Sequence, residues 1–358
     1  ILSCLPGLVL VLTGGAGFLG SHLVQVLLEA APELRELRIL DLEPDPATVP
    51  ERHREPQNAQ NIPKNQPQNA PDSPQKSAPK ATKYSQKSAP KRPRFAPKIS
   101  PKIDKNPPQN VPDRPQKSAP KSTKISPKTH LIGPKNQGDE ETPYPTRHSE
   151  PYPLSKAQAE RLVLEANGKP VAGGARLVTL ALRPTGIFGE RHPLLELFYR
   201  RGRGLGGRVP RSLPQNAEHA RVYAGNVAWM HVLAARAARA RPASVGGEFF
   251  FCYDASPWAP YEEFNLLLLG PAGLAGGPRL PPRLLGLLAG LNGALRAILG
   301  RFGVRFAPLL NPYTWAVAST PFSVRTAKAE RDLGYRPLFS WEEARDRTAR
   351  WLRRLDGA

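Results

Sequence analysis

The chain has 358 residues and a formal net charge of +21. Residues 51–137 hold nineteen Lys or Arg and five Asp or Glu, so one segment carries +14 of that charge. Two cysteines, Cys4 and Cys252, exclude a disulfide framework and a cysteine-based zinc cluster. The scattered histidines lack metal-motif spacing, so we predict no metal site.

Residues 1–45 contain the first predicted elements. LVLVLT at 8–13 is an apolar run that ends in glycines, which is typical of a buried parallel strand. SHLVQVLLEA follows with apolar residues at helical spacing, and LRILDLE at 37–43 is a second predicted strand. We therefore predict a β-α-β unit. Because the chain begins with Ile1, we also expect an incomplete amino terminus.

Residues 46–137 show neither helical nor strand periodicity. Proline, lysine, serine and glutamine dominate, and PQNAPDSPQKSAPKATK at 67–83 recurs with few changes at 108–124. Few apolar groups and many like charges cannot offset the entropy lost on ordering. We predict a disordered, low-complexity basic segment.

Predicted order resumes near Gly138. The clearest predicted helices lie at 155–168 and 227–240. The clearest predicted strands lie at 176–184 and 247–254. This alternation predicts an α/β fold with a Rossmann-type, doubly wound parallel sheet. We assign residues 138–190 to the rest of the Rossmann domain and residues 191–358 to a smaller C-terminal substrate-binding domain.

TGGAGFLG at residues 13–20 joins the first strand to the first helix. Gly14, Gly17 and Gly20 allow a tight turn and a close approach of the backbone to a pyrophosphate, which the helix amino terminus favours. Asp41 ends the next strand, where a carboxylate binds the ribose hydroxyls of NAD. The pattern predicts dinucleotide binding, and its alternative is a glycine-rich turn without ligand beside a solvated aspartate.

PYPLSKAQAE at residues 151–160 places Tyr152 and Lys156 one helical turn apart. A lysine cation and a nicotinamide ring favour the phenolate, which can take a proton from an alcohol while hydride leaves. The alternative is a surface tyrosine beside a solvated lysine. Downstream of a dinucleotide motif, the spacing favours the catalytic interpretation.

Together these motifs resemble the extended short-chain dehydrogenase/reductase family. Further stretches resemble its 3β-hydroxy-Δ5-steroid dehydrogenase/isomerase branch, and within it the oxysterol-specific members of bile-acid synthesis. The stretches are EANG (165–168), ALRPTGIFGE (181–190), RVYAGNVAWMHVLAAR (221–236), FFCYDASP (250–257), LLNPYTWAVAST (309–320) and LGYRPLFSWEEA (333–344). The resemblance covers roughly residues 8–45 and 138–355.

The resemblance implies NAD-dependent oxidation of a 3β-hydroxyl on a sterol, with migration of the ring double bond. Tyr152 would be the acid/base and Lys156 its electrostatic partner, which also holds the nicotinamide ribose. The three motif glycines would hold the pyrophosphate, and Asp41 would favour NAD over NADP. A homodimer is a candidate assembly.

The resemblance leaves residues 46–137 unmatched. In the family this region supplies the third to fifth strands and a catalytic serine or threonine. Ser126 and Thr129 lie in the right stretch, but their Pro- and Lys-rich surroundings are unlike a strand end, so we assign neither. A parallel sheet without these strands would expose apolar faces and unpaired edges, so the activity of this chain depends on that region.

RLLGLLAGLNGALRAILGRFG at residues 283–303 is apolar, with arginines at 283, 296 and 301. It is predicted to be a helix packed in the core, one lying in a membrane interface, or one spanning a bilayer. The family implies association with the endoplasmic reticulum membrane.

Two rival functions fit parts of the chain. A nucleotide-sugar epimerase or dehydratase shares the glycine and Tyr/Lys motifs, but signals for a sugar nucleotide are lacking. A non-catalytic protein could use the basic segment KSAPKRPRFAPKISPK to neutralise nucleic-acid phosphates. Aromatic residues for base stacking are nearly absent there, so we expect no nucleic-acid partner.

Overall fold

The computed structural model describes residues 8–42, 45, 48–49, 80–85, 138–142, 151–306, 308 and 310–356. The described residues all fall in one compact unit, which comprises residues 1–86 and 131–358. Residues 87–130 lie outside the described residues. The predicted domain boundaries at 46, 138 and 191 stay predictions.

The chain begins with the predicted β-α-β unit. Strand β1 (Val9–Thr13) leads through the glycines into helix α1 (Phe18–Ala30), and strand β2 (Glu36–Asp41) follows. β1 and β2 pair in parallel, from Val9 opposite Glu36 to Thr13 opposite Leu40. Local periodicity and the glycine motif therefore located these three elements to within a few residues.

The structure describes one strand within the basic segment. Strand β3 (Lys80–Ser85) pairs antiparallel with β2, from Asp41 opposite Lys80 to Glu36 opposite Ser85. The backbone N–H and C=O groups of β3 pair with the outer edge of β2. The availability of that edge cannot be predicted from the local composition. Val49 is also described and fully buried. The other residues of the segment, apart from Thr48 and Val49, lie outside the described residues, and their disorder stays a prediction.

The other elements follow in chain order after β3. They are α2 (Pro151–Glu165), β4 (Ala181–Pro184), β5 (Gly186–Phe188), α3 (Pro193–Gly204), β6 (Arg208–Arg211), β7 (Glu218–His219), β8 (Arg221–Tyr223), α4 (Ala224–Ala240), α5 (Pro242–Val245), β9 (Phe249–Cys252), β10 (Ala259–Pro260), α6 (Tyr261–Leu269), a 3₁₀ turn (Gly270–Ala272), β11 (Ala275–Arg279), α7 (Pro282–Arg301), α8 (Pro312–Ser319), α9 (Ala327–Leu333) and α10 (Trp341–Arg354).

Most of the strand pairs are parallel, as the α/β prediction requires. β4 pairs with β9, β5 with β8 and β6 with β11, all in parallel, whereas β7 and β10 are antiparallel. Helix α1 packs against α4, and Arg236 of α4 donates to the carbonyl of Ala30 at 2.9 Å and pairs with Glu33 at 2.7 Å. The fold is of the Rossmann α/β type.

The predicted strand at 176–184 is shorter than expected, because β4 begins only at Ala181. The preceding residues bond instead to the end of α2. The Gly168 N–H donates to the carbonyl of Leu177 at 2.7 Å, and the Thr179 N–H donates to the Asn167 side chain at 3.0 Å. Apolar composition alone cannot distinguish residues 176–180, which bond to the residues that follow α2, from a strand.

An apolar cavity of about 600 Å³ separates β1 from β4. Its walls include Leu10 and Leu12 from β1, Leu23 from α1, and Leu182 from β4. In the part of the chain that the structure describes, β1 pairs only with β2, and β4 pairs only with β9. Each strand therefore presents one unpaired edge, as expected of a Rossmann sheet without its central strands.

Helix α7 exposes an apolar stripe and packs with its opposite face. The stripe consists of Leu284, Leu287, Leu288, Leu291, Leu295 and Ile298. On the other face, Gly286 lies against the Trp315 ring and Gly293 against Pro312, both of α8. Of the side chains described in α7, only Ala289 is buried. A helix packed in the core, one of the three predicted alternatives, is therefore wrong.

Candidate active site

The glycine turn that joins β1 to α1 requires glycine at its first position. Gly14 has φ of +71°, in the left-handed region that favours glycine. Its N–H donates to the carbonyl of Leu40 at 2.8 Å, and this bond holds the turn against the end of β2. The backbone thus turns sharply at the carboxyl edge of the sheet.

The start of α1 is closely packed against this turn. A Cβ at Gly20 would overlap the carbonyl oxygen of Gly14, so a larger residue would push the helix away. Gly17 is the N-cap, and neither a capping side chain nor an acidic residue occupies the first turn. The helix amino terminus therefore presents backbone N–H groups and a positive dipole end, which suit an anion such as a pyrophosphate.

Asp41, the last residue of β2, lies beside the turn. Its Oδ2 accepts a hydrogen bond from the Ala16 N–H at 2.8 Å. The structure therefore brings Gly14, Gly17, Gly20 and Asp41 together at one edge of the sheet. The amino terminus of α1 and the carboxylate suit the pyrophosphate and the ribose of a dinucleotide.

Tyr152 and Lys156 lie together in the first turns of α2. The Lys156 Nζ is 5.7 Å from the centroid of the Tyr152 ring, and the Tyr152 side chain is 72% exposed. Among the described residues, no hydrogen bond, ion pair or ring contact joins either side chain to the glycine turn. The predicted site residues thus form two separate groups, the glycine turn with Asp41 and the pair of Tyr152 and Lys156. Ser126 and Thr129 lie outside the described residues.

A buried polar network beneath α1 was not predicted from the sequence. The Tyr223 hydroxyl donates to the carboxylate of Glu190 at 2.9 Å, and a His22 ring nitrogen lies 3.1 Å from the Glu190 carbonyl. Burial, and then the charge of Glu190, raises the pKa of Tyr223. The network connects α1 to the loop after β5. Glu190 and Tyr223 belong to the ALRPTGIFGE and RVYAGNVAW stretches, which the family resemblance marked without giving a role.

Two further motif residues have structural roles. Asn226 accepts from the backbone N–H groups of Leu338 and Phe339, both at 2.9 Å, and donates to Asp254 at 2.8 Å. Asp254 also accepts from the Tyr223 N–H at 2.9 Å. These bonds join the start of α4 to the end of β9 and to the segment before α10.

His192 and His219 flank a buried arginine, Arg221. The pKa of each histidine is lowered to about 4, first by burial and then by the charge of Arg221. His192 caps α3 by accepting from the Leu195 N–H at 3.2 Å, and its ring contacts Phe18 at 4.9 Å between centroids. Both imidazoles are therefore neutral at pH 7 in the folded protein.

We expect acid to destabilise the protein through these two histidines. Their folded-state pKa values lie below the unfolded value of about 6.5, so the unfolded state binds more protons and the free energy of unfolding falls from pH 7 to pH 4. The expected loss is on the order of 1 kcal/mol per pH unit for each histidine. Chemical denaturation at pH 7 and pH 5 measures it. His192→Asn, which keeps a capping side chain but does not titrate, should show a smaller loss, and an equal loss would contradict this assignment.

The fold and the glycine turn define a dinucleotide-binding protein of the Rossmann class. The family model for the 3-beta hydroxysteroid dehydrogenase/isomerase family matches residues 11–62 and 129–281. The chain belongs to this family.

Relatives match nearly the whole chain. It is 44% identical to the Mus musculus protein named 3 beta-hydroxysteroid dehydrogenase type 7, over 99% of this chain and 98% of the relative. It is 43% identical to the Homo sapiens type 7 protein, over 98% of this chain and 97% of the relative. A 3 beta-hydroxysteroid dehydrogenase/Delta 5-->4-isomerase of Vaccinia virus (strain Ankara) is 34% identical, over 95% of this chain and 97% of the relative.

Among the solved structures that this chain matches is the dTDP-glucose 4,6-dehydratase of Streptomyces venezuelae, determined with NAD bound. It is 18% identical, covers 63% of this chain and 58% of its own, and has a TM-score of 0.39. Membership of the steroid dehydrogenase family decides against the predicted alternative of a nucleotide-sugar epimerase or dehydratase.

Proposed function

We propose that this chain catalyses the NAD-dependent oxidation of the 3β-hydroxyl of a Δ5-sterol, of the 7α-hydroxylated cholesterol type, and the migration of the ring double bond into conjugation. The observation that carries the proposal is the Tyr152 and Lys156 pair in a chain of this family. The type 7 relatives and the oxysterol-like motifs support the choice of sterol.

Tyr152 acts as the proton acceptor. Its exposed phenol is reachable by a sterol hydroxyl, and the Lys156 ammonium lies 5.7 Å from the centroid of its ring. The phenolate takes the hydroxyl proton as the carbon–oxygen bond becomes a ketone. NAD, when bound, supplies the acceptor for the hydride that leaves C3. The α1 amino terminus would hold its pyrophosphate, and Asp41 its ribose.

Product analysis tests this function. The full chain, NAD and a Δ5-3β-hydroxysterol with a 7α-hydroxyl should give the 3-ketone with the conjugated double bond, identified by mass spectrometry and ultraviolet absorbance. The 3α-epimer is the control, and we expect no ketone from it. No ketone from the 3β-sterol by a folded, NAD-binding chain would contradict the proposal.

Cofactor choice should depend on the charge of Asp41. The 2′-phosphate of NADP would lie beside the Asp41 carboxylate, and the two negative charges would repel each other. We therefore expect the parent chain to prefer NAD. Asp41→Asn keeps an oxygen to accept from Ala16 but removes the charge, so it should reduce the NAD-over-NADP preference by about ten- to a hundredfold in Kd. Asp41→Ala should also relax the preference, with weaker binding of both cofactors because the turn loses its bond. Equal binding of NAD and NADP by the parent would contradict this role.

We propose that α7 lies in the interface of the endoplasmic reticulum membrane. By length and composition, Arg283–Arg301 could cross a bilayer. However, its glycine face packs on α8, which leaves only the leucine stripe available to lipid. The exposed Arg283 and Arg301 stand at the two ends, where they can contact headgroups.

Vesicle binding tests this placement. The chain should sediment with phosphatidylcholine vesicles and be released by alkaline carbonate. The double variant Leu287→Glu and Leu291→Glu should stay in solution. Leu205→Glu, at an exposed leucine after α3, is the matched control and should bind vesicles as the parent does. Retention after carbonate treatment would instead indicate a spanning helix. The predicted homodimer stays a prediction.

A further inference from the structure

The part of the chain around helix α7 carries positive charge and no acidic residue. Residues 264–329 contain seven Lys or Arg and not one Asp or Glu. Two of these cations, Arg279 and Lys328, pair with Glu263 and Glu248, which lie outside the region, at 2.8 and 2.7 Å. No acidic residue of the region itself can neutralise the other five.

Three of these arginines lie on the surface without an ion pair. Arg283, Arg301 and Arg305 are exposed, and no carboxylate in the described part of the chain pairs with any of them. Arg283 and Arg301 stand at the two ends of α7, and Arg305 follows shortly after the helix. The surface around α7 therefore has a positive charge that its own residues do not balance.

Helix α10 shows the arrangement that is usual for an exposed charged helix. It carries five arginines and three acidic residues. Arg345 pairs with Asp346 at 3.0 Å, and Arg347 pairs with Glu343 at 2.7 Å. The unbalanced charge around α7 is therefore a local feature and not a general property of the exposed helices described in this chain.

The helix places two of the arginines along one margin of the leucine stripe. Arg283 and Arg301 are 18 residues apart, which is five full turns, so they lie on the same side of α7. At about 100° per residue, the stripe from Leu284 to Ile298 covers about 40–140° from that side. A helix with this stripe among acyl chains holds both guanidinium groups at the level of the headgroups.

The apolar surface continues beyond the end of the helix. Phe302 is 78% exposed and Val304 is 51% exposed, and the two alternate with Arg301 and Arg305 in the chain. The cations thus border an apolar surface. A nucleic acid could contact the arginines through its phosphates, but it would leave the leucine stripe in water. A bilayer offers a partner to both kinds of group.

We propose that this surface binds anionic phospholipids, so that α7 lies in the interface of membranes that carry net negative charge. Attraction of one arginine to an anionic leaflet strengthens binding about fivefold, so Arg283, Arg301 and Arg305 together contribute on the order of a hundredfold. No acidic residue of the region opposes this attraction. The inference rests on the proposed placement of α7 in a membrane interface and adds the chemical class of the lipid.

Vesicle sedimentation of the full chain tests the proposal. The probes are vesicles of phosphatidylcholine alone and vesicles of about 70% phosphatidylcholine and 30% phosphatidylserine. The parent should bind the second kind at least about a hundredfold more tightly, and salt at about 1 M should remove most of that difference. The basic segment at 51–137 adds to the attraction, so variants must assign it to α7.

A triple variant removes the three charges from the α7 surface. Arg283→Gln, Arg301→Gln and Arg305→Gln change exposed side chains and leave the leucine stripe intact, so Tm should equal that of the parent. Binding to vesicles with phosphatidylserine should fall on the order of a hundredfold. Binding to phosphatidylcholine alone should match that of the parent.

A matched control removes the same charge elsewhere. It is the triple variant Arg239→Gln, Arg350→Gln and Arg354→Gln, at exposed positions on α4 and α10. This variant should keep most of its binding to vesicles with phosphatidylserine, because attraction to the leaflet falls off within a Debye length.

Two results would overturn the proposal. These are undiminished binding of the α7 variant to vesicles with phosphatidylserine, or an equal loss in both triple variants. In either case the basic segment or the net charge would account for the attraction. A parent chain that does not bind phosphatidylcholine would instead contradict the placement of the leucine stripe in the membrane. Binding to phosphatidylserine that depends on the three α7 arginines would then still support the anionic-lipid surface.

Discussion

Tyr152→Phe is expected to lower turnover with a Δ5-3β-hydroxysterol by a factor on the order of 10²–10⁴. The substitution removes only the oxygen that accepts the proton, and the ring beneath Lys156 remains. NAD binding should therefore be unchanged. Steady-state kinetics and NAD titration of the same preparation measure the two quantities.

Two other variants distinguish a catalytic role from a structural one. Lys156→Ala should weaken both turnover and NAD binding, because the ammonium lies against the Tyr152 ring and would hold the nicotinamide ribose. Tyr313→Phe, at an exposed tyrosine on α8, should leave both unchanged. Undiminished turnover in Tyr152→Phe would remove this residue from the mechanism.

Replacing residues 46–137 with the corresponding segment of the mouse type 7 relative is expected to raise Tm and tighten NAD binding. The described part of the sheet has unpaired edges at β1 and β4 and an apolar cavity of about 600 Å³ between them. Each aliphatic side chain buried there would contribute about 1.5–3 kcal/mol, and each kcal/mol raises Tm by about 2–4 °C. An increase on the order of 10 °C needs only a few such side chains.

A second chimera controls for segment length. It carries the same replacement with its apolar residues changed to Ser, and it should melt near the parent. NAD affinity should follow Tm, because β1 carries the glycine turn at its end. If the first chimera melts with the parent and binds NAD no more tightly, the cavity does not limit the stability of this fold.

The nucleotide-binding end of the fold could be predicted from the sequence because its determinants are local. Gly14 and Gly20 are required by one turn, and Asp41 follows at the end of the adjacent strand. Hydrophobic periodicity then located β1, α1 and β2. The pairing of Lys80–Ser85 with β2 depends on an available strand edge, which composition does not show.

The surroundings of Arg221 could not be predicted in the same way. RVY (221–223) forms a short strand, and nothing in its sequence indicates that the arginine is buried without an acidic partner among the described residues. That arrangement depends on Gly186, which is opposite Arg221 in the β5–β8 register, and on Tyr261, whose ring centroid lies 4.4 Å from the guanidinium. These two residues lie 35 and 40 residues away in the chain. Helix α7 is an intermediate case. Its apolar composition was evident from the sequence, but which of its faces is exposed became clear only from its packing on α8 in the structure.

The most direct test of the proposed activity follows the hydrogen at C3 of the sterol. The full chain is incubated with NAD and a Δ5-3β-hydroxysterol that carries deuterium at the 3α position, and the reduced cofactor is analysed by mass spectrometry. We predict deuterated NADH in the parent, with its formation slowed in Tyr152→Phe. Reduced cofactor without deuterium, or no reduced cofactor from a folded chain that binds NAD, would contradict the proposed oxidation at C3.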